Sequence, residues 1–248
     1  MTKKLLRVAF LERIETEYGE ITIARVARTG GLIYAQGGCH QSESDGNGVS
    51  LSTYIHALYG FVRQAGARRV LLIGCGGGTL ATMLTRDGAA VTIVDINEAS
   101  RYVARRYFGV PDSTPFHVED GLAFLLRGAS KFDAIVLDAY HASEIPEHLT
   151  TEAFFRAAAA RLAKKGLLLA NVFLTGDEDR AARQIASTMQ AVWPDAVRLL
   201  DEPGARERNA ILLAGEVASL SRPWLMAPPR HGAEDIRAEL KGLAFQPL

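Results

Sequence analysis

Gly74-Cys75-Gly76-Gly77-Gly78 stands directly after the apolar run Val70-Leu71-Leu72-Ile73. So few side chains let the backbone pass close to a bulky ligand, and the helix behind it points free N–H groups at whatever sits there. Asp95 lies 21 residues after Gly74, at the end of the next apolar run. A carboxylate there can accept both hydroxyls of a ribose. Its plainer role is a turn residue before the helix at Asn97. The glycine spacing is Gly-x-Gly-x-Gly, and Thr79 stands where a dinucleotide fingerprint wants its last glycine. That suits an S-adenosyl ligand better than a nicotinamide. Gly74, Gly76, Gly78, Asp95, Asp120 and Gly121 are the candidate nucleoside contacts. Asp120 can accept from an adenine amino group, cap the helix that begins at Gly121, or do both.

Asp138 ends a further apolar run, Phe132 to Leu137. A carboxylate at such a strand tip faces the reactive end of an adenosyl sulfonium; its plainer role is a loop anchor. Asp138 is the candidate catalytic group. Ala139 to Thr150 reads as a loop over the site, with His141 and His148 as possible acid–base groups and His148 the more ordinary bystander. Cys75 reads as a small filler rather than a nucleophile. His40, His56, His117 and His231 have no metal-ligand spacing, so no metal is expected.

These residues need a scaffold that alternates strands and helices. Tyr54, Ile55, Leu58, Tyr59 and Val62 recur at helical spacing and end near Gly66. Strands are expected at 70–73, 91–94, 116–118, 132–137, 167–173 and 196–200, with helices at 79–86, 98–108, 121–127, 151–164 and 177–192 between them. The last strand, 210–214, follows its predecessor with no room for a crossover helix, so it runs antiparallel. The fold class is α/β: a doubly wound seven-stranded sheet of the class I methyltransferase-like type, last strand antiparallel. Residues 1–50, with short β runs around Ile21 to Val26 and Leu32 to Tyr34 and glycine turns between, form a small N-terminal β unit. Residues 51–218 form the adenosyl-binding domain, and 219–248 a tail with a short helix at about 233–240.

Composition sets outer bounds. The chain has 248 residues, 28 Lys and Arg against 28 Asp and Glu, and 48% hydrophobic residues. It can bury a core, and its zero net charge argues against nonspecific nucleic-acid binding. Two cysteines, Cys39 and Cys75, make neither a disulfide framework nor a zinc site. The apolar N-terminal stretch is broken by Arg7 and Glu12 and lacks a signal-peptide cleavage site; no run is long enough for a membrane span. A cytoplasmic protein is expected, with no nucleic-acid or membrane partner.

From about Tyr18 to Ala214 the chain resembles the spermidine synthase (polyamine aminopropyltransferase) family, in its divergent bacterial branch. Val70 to Leu80 is similar to that family's strand and Gly-Gly-Gly-Asp-Gly loop. Val94-Asp95-Ile96-Asn97 is similar to its Val-Glu-Ile-Asp, Asp120-Gly121 to its adenine corner, and Asp138 to the first Asp of its Asp-Ser-Ser-Asp-Pro gate. Gly38-Cys39-His40-Gln41 resembles its Asp-Gly-x-x-Gln turn. Leu72 stands where ordinary methyltransferases carry an acid. The resemblance implies aminopropyl transfer from decarboxylated S-adenosylmethionine to a small-molecule amine, with Asp138 taking or relaying the proton and Gln41, Tyr54, Tyr140 and His141 near the acceptor. Three positions depart from the pattern. Gly77 replaces the loop Asp, His141 replaces the second gate Asp, and the Tyr-His-Glu motif falls on Ser52 without gaps or on Tyr54 with a two-residue shift. S-adenosylmethionine-dependent methyl transfer to a small molecule is the alternative. A nucleoside-binding homologue without catalysis is the third reading, and a homodimer is left open.

Overall fold

The computed structural model describes residues 7–141 and 144–248. The first half of the signal-like stretch and the loop positions Ala142 and Ser143 lie outside the described residues. Four strands come first: β1 (Val8–Ile14), β2 (Ile21–Val26), β3 (Leu32–Gln36) and β4 (Cys39–Ser44). They pair antiparallel in chain order. Ile21, Ile23, Leu32 and Tyr34 alternate onto one face, where they are buried, as a half-covered antiparallel sheet requires.

The remaining elements are α1 (Thr53–Gln64), β5 (Arg69–Ile73), α2 (Thr79–Arg86), β6 (Ala90–Asp95), α3 (Glu98–Phe108), β7 (Phe116–Val118), α4 (Gly121–Arg127), β8 (Phe132–Leu137), α5 (Glu152–Arg161), β9 (Leu162–Leu174), α6 (Ala181–Gln190), β10 (Val197–Asp201), β11 (Arg208–Gly215), α7 (Ala233–Gly242) and β12 (Ala244–Gln246). The large sheet has the order β12-β10-β11-β9-β8-β5-β6-β7. β5 to β9 run parallel, and β11 is antiparallel to both β9 and β10. Both faces are covered: α1, α2 and α7 pack on one, α4, α5 and α6 on the other. The small sheet rests on α3, through Val103 and Phe108. It therefore stands beside the glycine loop.

The doubly wound α/β reading holds, with differences at the ends of elements. The expected helix 151–164 stops at Arg161, and β9 begins at once. Arg161 is buried and donates to the carbonyls of Phe124, Leu125 and Ser130, which turns the chain out of the helix. Leu162 then pairs with Phe132. The helix expected from residue 177 starts at Ala181, because the Asp179 carboxylate accepts from the N–H groups of Ala181 and Thr175 and holds a turn there.

An eighth strand, β12, closes the sheet edge against β10. Three residues are too few to carry a period. The strand is held by tertiary contacts: Phe245 lies 6.2 Å from the Phe61 ring, with the Arg198 guanidinium 3.3 Å over its own. Replacing Phe245 with Ala is expected to lower unfolding stability by about 2 kcal/mol, less than a fully buried Phe would lose. Urea unfolding of the variant measures this, and an unchanged midpoint would show that β12 contributes nothing to the sheet.

Candidate active site

The carboxyl ends of β5, β6 and β8 open into a cavity of about 910 Å3. Gly74 leaves β5 with φ +93°, donates its N–H to the Val94 carbonyl, and presses against the backbone of Asp138. A Cβ at Gly74 would fall 2.2 Å from the Asp138 carbonyl oxygen, so only glycine fits. The loop is then tied from two sides. Cys75 N–H donates to Asp95 Oδ2 at 2.8 Å, and Gly77 N–H donates to Ser42 Oγ of β4 at 3.0 Å.

The candidate nucleoside, catalytic and acceptor residues all border this one cavity: Gly74, Gly76, Gly78, Asp95, Asp120, Gly121, Asp138, Gln41, Tyr54, Tyr140 and His141. Of the two positions, Tyr54 and not Ser52 reaches it, and the Tyr54 hydroxyl points at Asp138 Oδ2 across 3.4 Å. Several of these side chains are also committed to the protein. Asp95 Oδ1 accepts from Asn97 N–H, and Asp120 Oδ1 caps α4 by accepting from Ala123 N–H. Tyr140 donates its hydroxyl to the Asn171 carbonyl and accepts from Phe173 N–H, so its ring, rather than its hydroxyl, is what it offers to the cavity. His148, expected to be a bystander, instead approaches Asp120 Oδ2 at 2.5 Å. It ties the far end of the 139–149 loop to the corner read as an adenine contact.

Asp138 is joined by a residue that the sequence reading passed over. Asn171, toward the carboxyl end of β9, donates from Nδ2 to Asp138 Oδ1 at 2.8 Å. One amide inside the run Leu167 to Phe173 is the signal that marks it. Burial raises the Asp138 carboxyl to about 6, against the pull of the Asn171 and Tyr54 hydrogen bonds. Burial likewise raises Asp95 to about 6, against the two backbone donors. The same cause pushes the Cys75 thiol well up, which fits a filler. Glu119, Glu144, Glu147 and Glu207 also border the cavity, which has no Lys or Arg among its described lining residues. Glu119 is neutralised by Arg127. Among the described residues no three His, Cys, Asp or Glu side chains are grouped to hold a metal ion.

Residues 70–166 match a family model described as a methyltransferase domain. The polyamine aminopropyltransferase of Chromobacterium violaceum is 33% identical over 178 residues, covering 69% of this chain and 66% of the relative. A probable spermidine synthase from Corynebacterium glutamicum superposes with a TM-score of 0.75 at 21% identity, over 96% of this chain and 90% of that one. That superposition is a likeness of fold, and its coverage takes in the N-terminal sheet.

The chain is similar to the polyamine aminopropyltransferases.

It spans from 33% to 66% of the length of the first aminopropyltransferases it matches. The ubiquinone biosynthesis O-methyltransferase of Aromatoleum aromaticum is also similar, 35% identical over 189 residues, covering 75% of this chain and 72% of that relative. The fold is shared by enzymes that move different groups, so the transferred group has to be argued from the site. No helix among the described residues is long and apolar enough to cross a membrane.

The Asp95 environment gives a pH test of the nucleoside site. With its carboxyl at about 6, Asp95 is protonated below that pH and ionised above it. Ribose hydroxyls donate to the ionised form, so binding is favoured as pH rises through 6. Affinity for methylthioadenosine is expected to rise about tenfold between pH 5 and pH 7, following the ionised fraction. Calorimetry across that range checks it. Asp95→Asn should abolish the rise and Asp138→Asn should leave it; a flat profile in the unaltered protein would remove Asp95 from the nucleoside site.

Proposed function

We propose that this enzyme transfers an aminopropyl group from decarboxylated S-adenosylmethionine to a small cationic amine. The observation that carries the reading is the charge of the cavity. Asp95, Asp138, Glu144, Glu147 and Glu207 face it without a Lys or Arg among the described lining residues. A ligand that brings positive charge relieves this arrangement, and one that adds a carboxylate is opposed by it. Decarboxylated S-adenosylmethionine carries a sulfonium and an ammonium and no carboxylate. A diamine is dicationic at neutral pH. Similarity to polyamine aminopropyltransferases supports the same reading.

In this reading the glycine loop and Asp95 hold the nucleoside, with Asp120 and Gly121 at the adenine. Asp138 receives the acceptor amine. The ammonium must first lose a proton, and its ordinary pKa near 10.4 makes that loss unfavourable at neutral pH. Asp138, ionised above about 6, takes it. The amine nitrogen then bonds to the carbon beside the sulfonium. The carbon–sulfur bond breaks, its electron pair stays on sulfur, and methylthioadenosine leaves as a neutral thioether. Gln41, Tyr54, Tyr140 and His141 wall the acceptor end; the hydroxyl of Tyr54 faces Asp138. Holding both reactants in line supplies most of the acceleration.

Methyl transfer from S-adenosylmethionine is the second reading, favoured by one feature. Gly77 offers no carboxylate for an aminopropyl ammonium, and Ser42 and Phe108 crowd the space that a side chain there would fill.

Calorimetry with the two donors separates the readings. The decarboxylated donor is expected to bind at least about tenfold tighter, 1.4 kcal/mol; the reverse order would establish methyl transfer. With the decarboxylated donor and a diamine panel, Asp138→Asn is expected to lower kcat by about 100-fold or more while leaving methylthioadenosine affinity unchanged. Turnover in the unaltered enzyme should fall as pH drops through about 6, because the protonated Asp138 cannot accept a proton. Absence of transfer to any amine, with the nucleoside bound, would overturn the proposal.

A further inference from the structure

We propose that the groove between residues 144–150 and α6 is a second acceptor subsite, which holds the far cation of a linear amine longer than a diamine. The inference rests on the aminopropyl-transfer reading and names the class of acceptor, a triamine or tetraamine.

A groove of about 420 Å3 lies beside the catalytic cavity. Val172, Phe173 and Ile185 give it an apolar lining, and Glu144, Glu147 and Asp179 are its carboxylates. No Lys or Arg stands among its described lining residues. Arg208, the basic group that faces Asp179, is spent on Asp201 and Asp177. Asp179 accepts from the N–H groups of Ala181 and Thr175. These donors hold its carboxyl below the ordinary range, so it is charged at neutral pH. The groove and the catalytic cavity share Tyr140, Glu144, Ile145, Glu147 and Phe173 on their walls. The Tyr140 hydroxyl donates to the Asn171 carbonyl and accepts from the Phe173 N–H. Held at that end, its ring is a fixed sill between the two spaces.

An amine whose reacting nitrogen sits at Asp138 has to place its remaining charge elsewhere. Residues 139–143 bring no carboxylate. The next two acids, Glu144 and Glu147, stand on the shared wall, and Asp179 lies beyond it in the groove. The acids therefore lead away from Asp138, across the Tyr140 ring and onto α6. A linear polyamine has the matching pattern of cations set apart by methylene runs. Its methylenes leave water against Tyr140, Phe173 and Ile185, while its ammonium groups stay at the rim with the carboxylates. The same rim opposes a carboxylate-bearing chain, and an uncharged chain leaves the acids unpaired. Glu207 borders the catalytic cavity alone, so an acceptor whose second cation stops there gains nothing from the groove.

Calorimetry on the methylthioadenosine-loaded protein, with linear diamines of three to five carbons against a linear triamine and tetraamine, tests this. Transfer kinetics with the same amines are the second measurement. The triamine is expected to bind at least about tenfold tighter than any of the diamines and to lead in kcat/KM by a similar factor, as methylene burial and exposed ion pairs together imply. Gln184→Lys sets a cation at the rim, and Thr188→Phe fills the groove. Each should bring the triamine-to-diamine ratio to within about threefold, whatever happens to the absolute values. Gln190→Lys, exposed at the end of α6 and outside the groove, adds the same charge and should leave the ratio where it is. Unaltered methylthioadenosine affinity confirms that each variant is folded. A ratio near one in the unaltered protein, or one that Gln184→Lys and Thr188→Phe leave unchanged, overturns the subsite and leaves aminopropyl transfer standing. Tight triamine binding that is lost in both variants, with transfer to no amine, upholds the groove and overturns aminopropyl transfer.

Discussion

The close approach of Gly74 to the backbone of Asp138 is the constraint on which the site depends. With 2.2 Å between a hypothetical Cβ and the Asp138 carbonyl oxygen, the two strand tips can meet only where one residue has no side chain. Asp138 N–H donates to the Ile73 carbonyl and Gly74 N–H to the Val94 carbonyl, both at 2.8 Å. The tips of β5, β6 and β8 are thereby sewn into one seam. From that seam the loop turns over to meet Asp95 at Cys75 and Ser42 at Gly77. The floor of the cavity and the Asp138 carboxylate thus come from a single backbone arrangement. Neither can move far without the other.

Charge is the second constraint, and it opposes the first. Closing the seam draws Asp95 and Asp138 away from water; burial disfavours their ionised forms, backbone and amide donors offset part of that, and both sit at about 6. A positive or strongly donating group that enters the cavity favours the ionised forms further. Substrate binding and ionisation of Asp138 are then linked: a cation beside the carboxylate lowers its pKa and so favours the form that can take a proton, provided the amine still holds one to give. In the proposed reaction the general base is prepared by the same encounter that delivers its proton.

Much of this is legible in the sequence because the parts concerned are local. A fully apolar strand, a glycine loop and an acid at the next strand tip are read within about 25 residues, and Asp138 is found by the same rule applied to the fourth parallel strand. The parts that stay hidden are those fixed by distant contacts. Strand β1 leaves Val8, Phe10 and Leu11 exposed, so its apolar residues mark no buried face. Strand β12 is too short to show a period and depends on Phe61 and Arg198. The link between His148 and Asp120 spans 28 residues and joins two loops whose separate readings say nothing of each other. Asn171 is visible as the odd amide in an apolar strand, but what it does becomes plain only once β9 lies beside β8.

The departure at Gly77 also follows from packing. A Cβ there would lie 3.0 Å from Ser42 Cβ and 3.2 Å from the Phe108 ring, and Phe108 is fully buried in the core that seats the N-terminal sheet. Restoring an aspartate at this position would push on that core, so the sheet's docking and the absence of the loop acid belong together. On this side the N-terminal sheet brings Tyr18, Gln36, Gln41 and Ser42 to the cavity. Gln36 is already committed to Tyr18 and Tyr34, which leaves neutral acceptors at best. A hydrogen bond to a neutral acceptor contributes about half of one to a charged group. In the proposed reaction, the diffuse field of the cavity's carboxylates takes the place of tight local recognition of a terminal ammonium. Such a field tells a cation from a zwitterion without reading the position of the ammonium closely. In the proposed reaction, discrimination between donors rests on net charge at this end of the cavity.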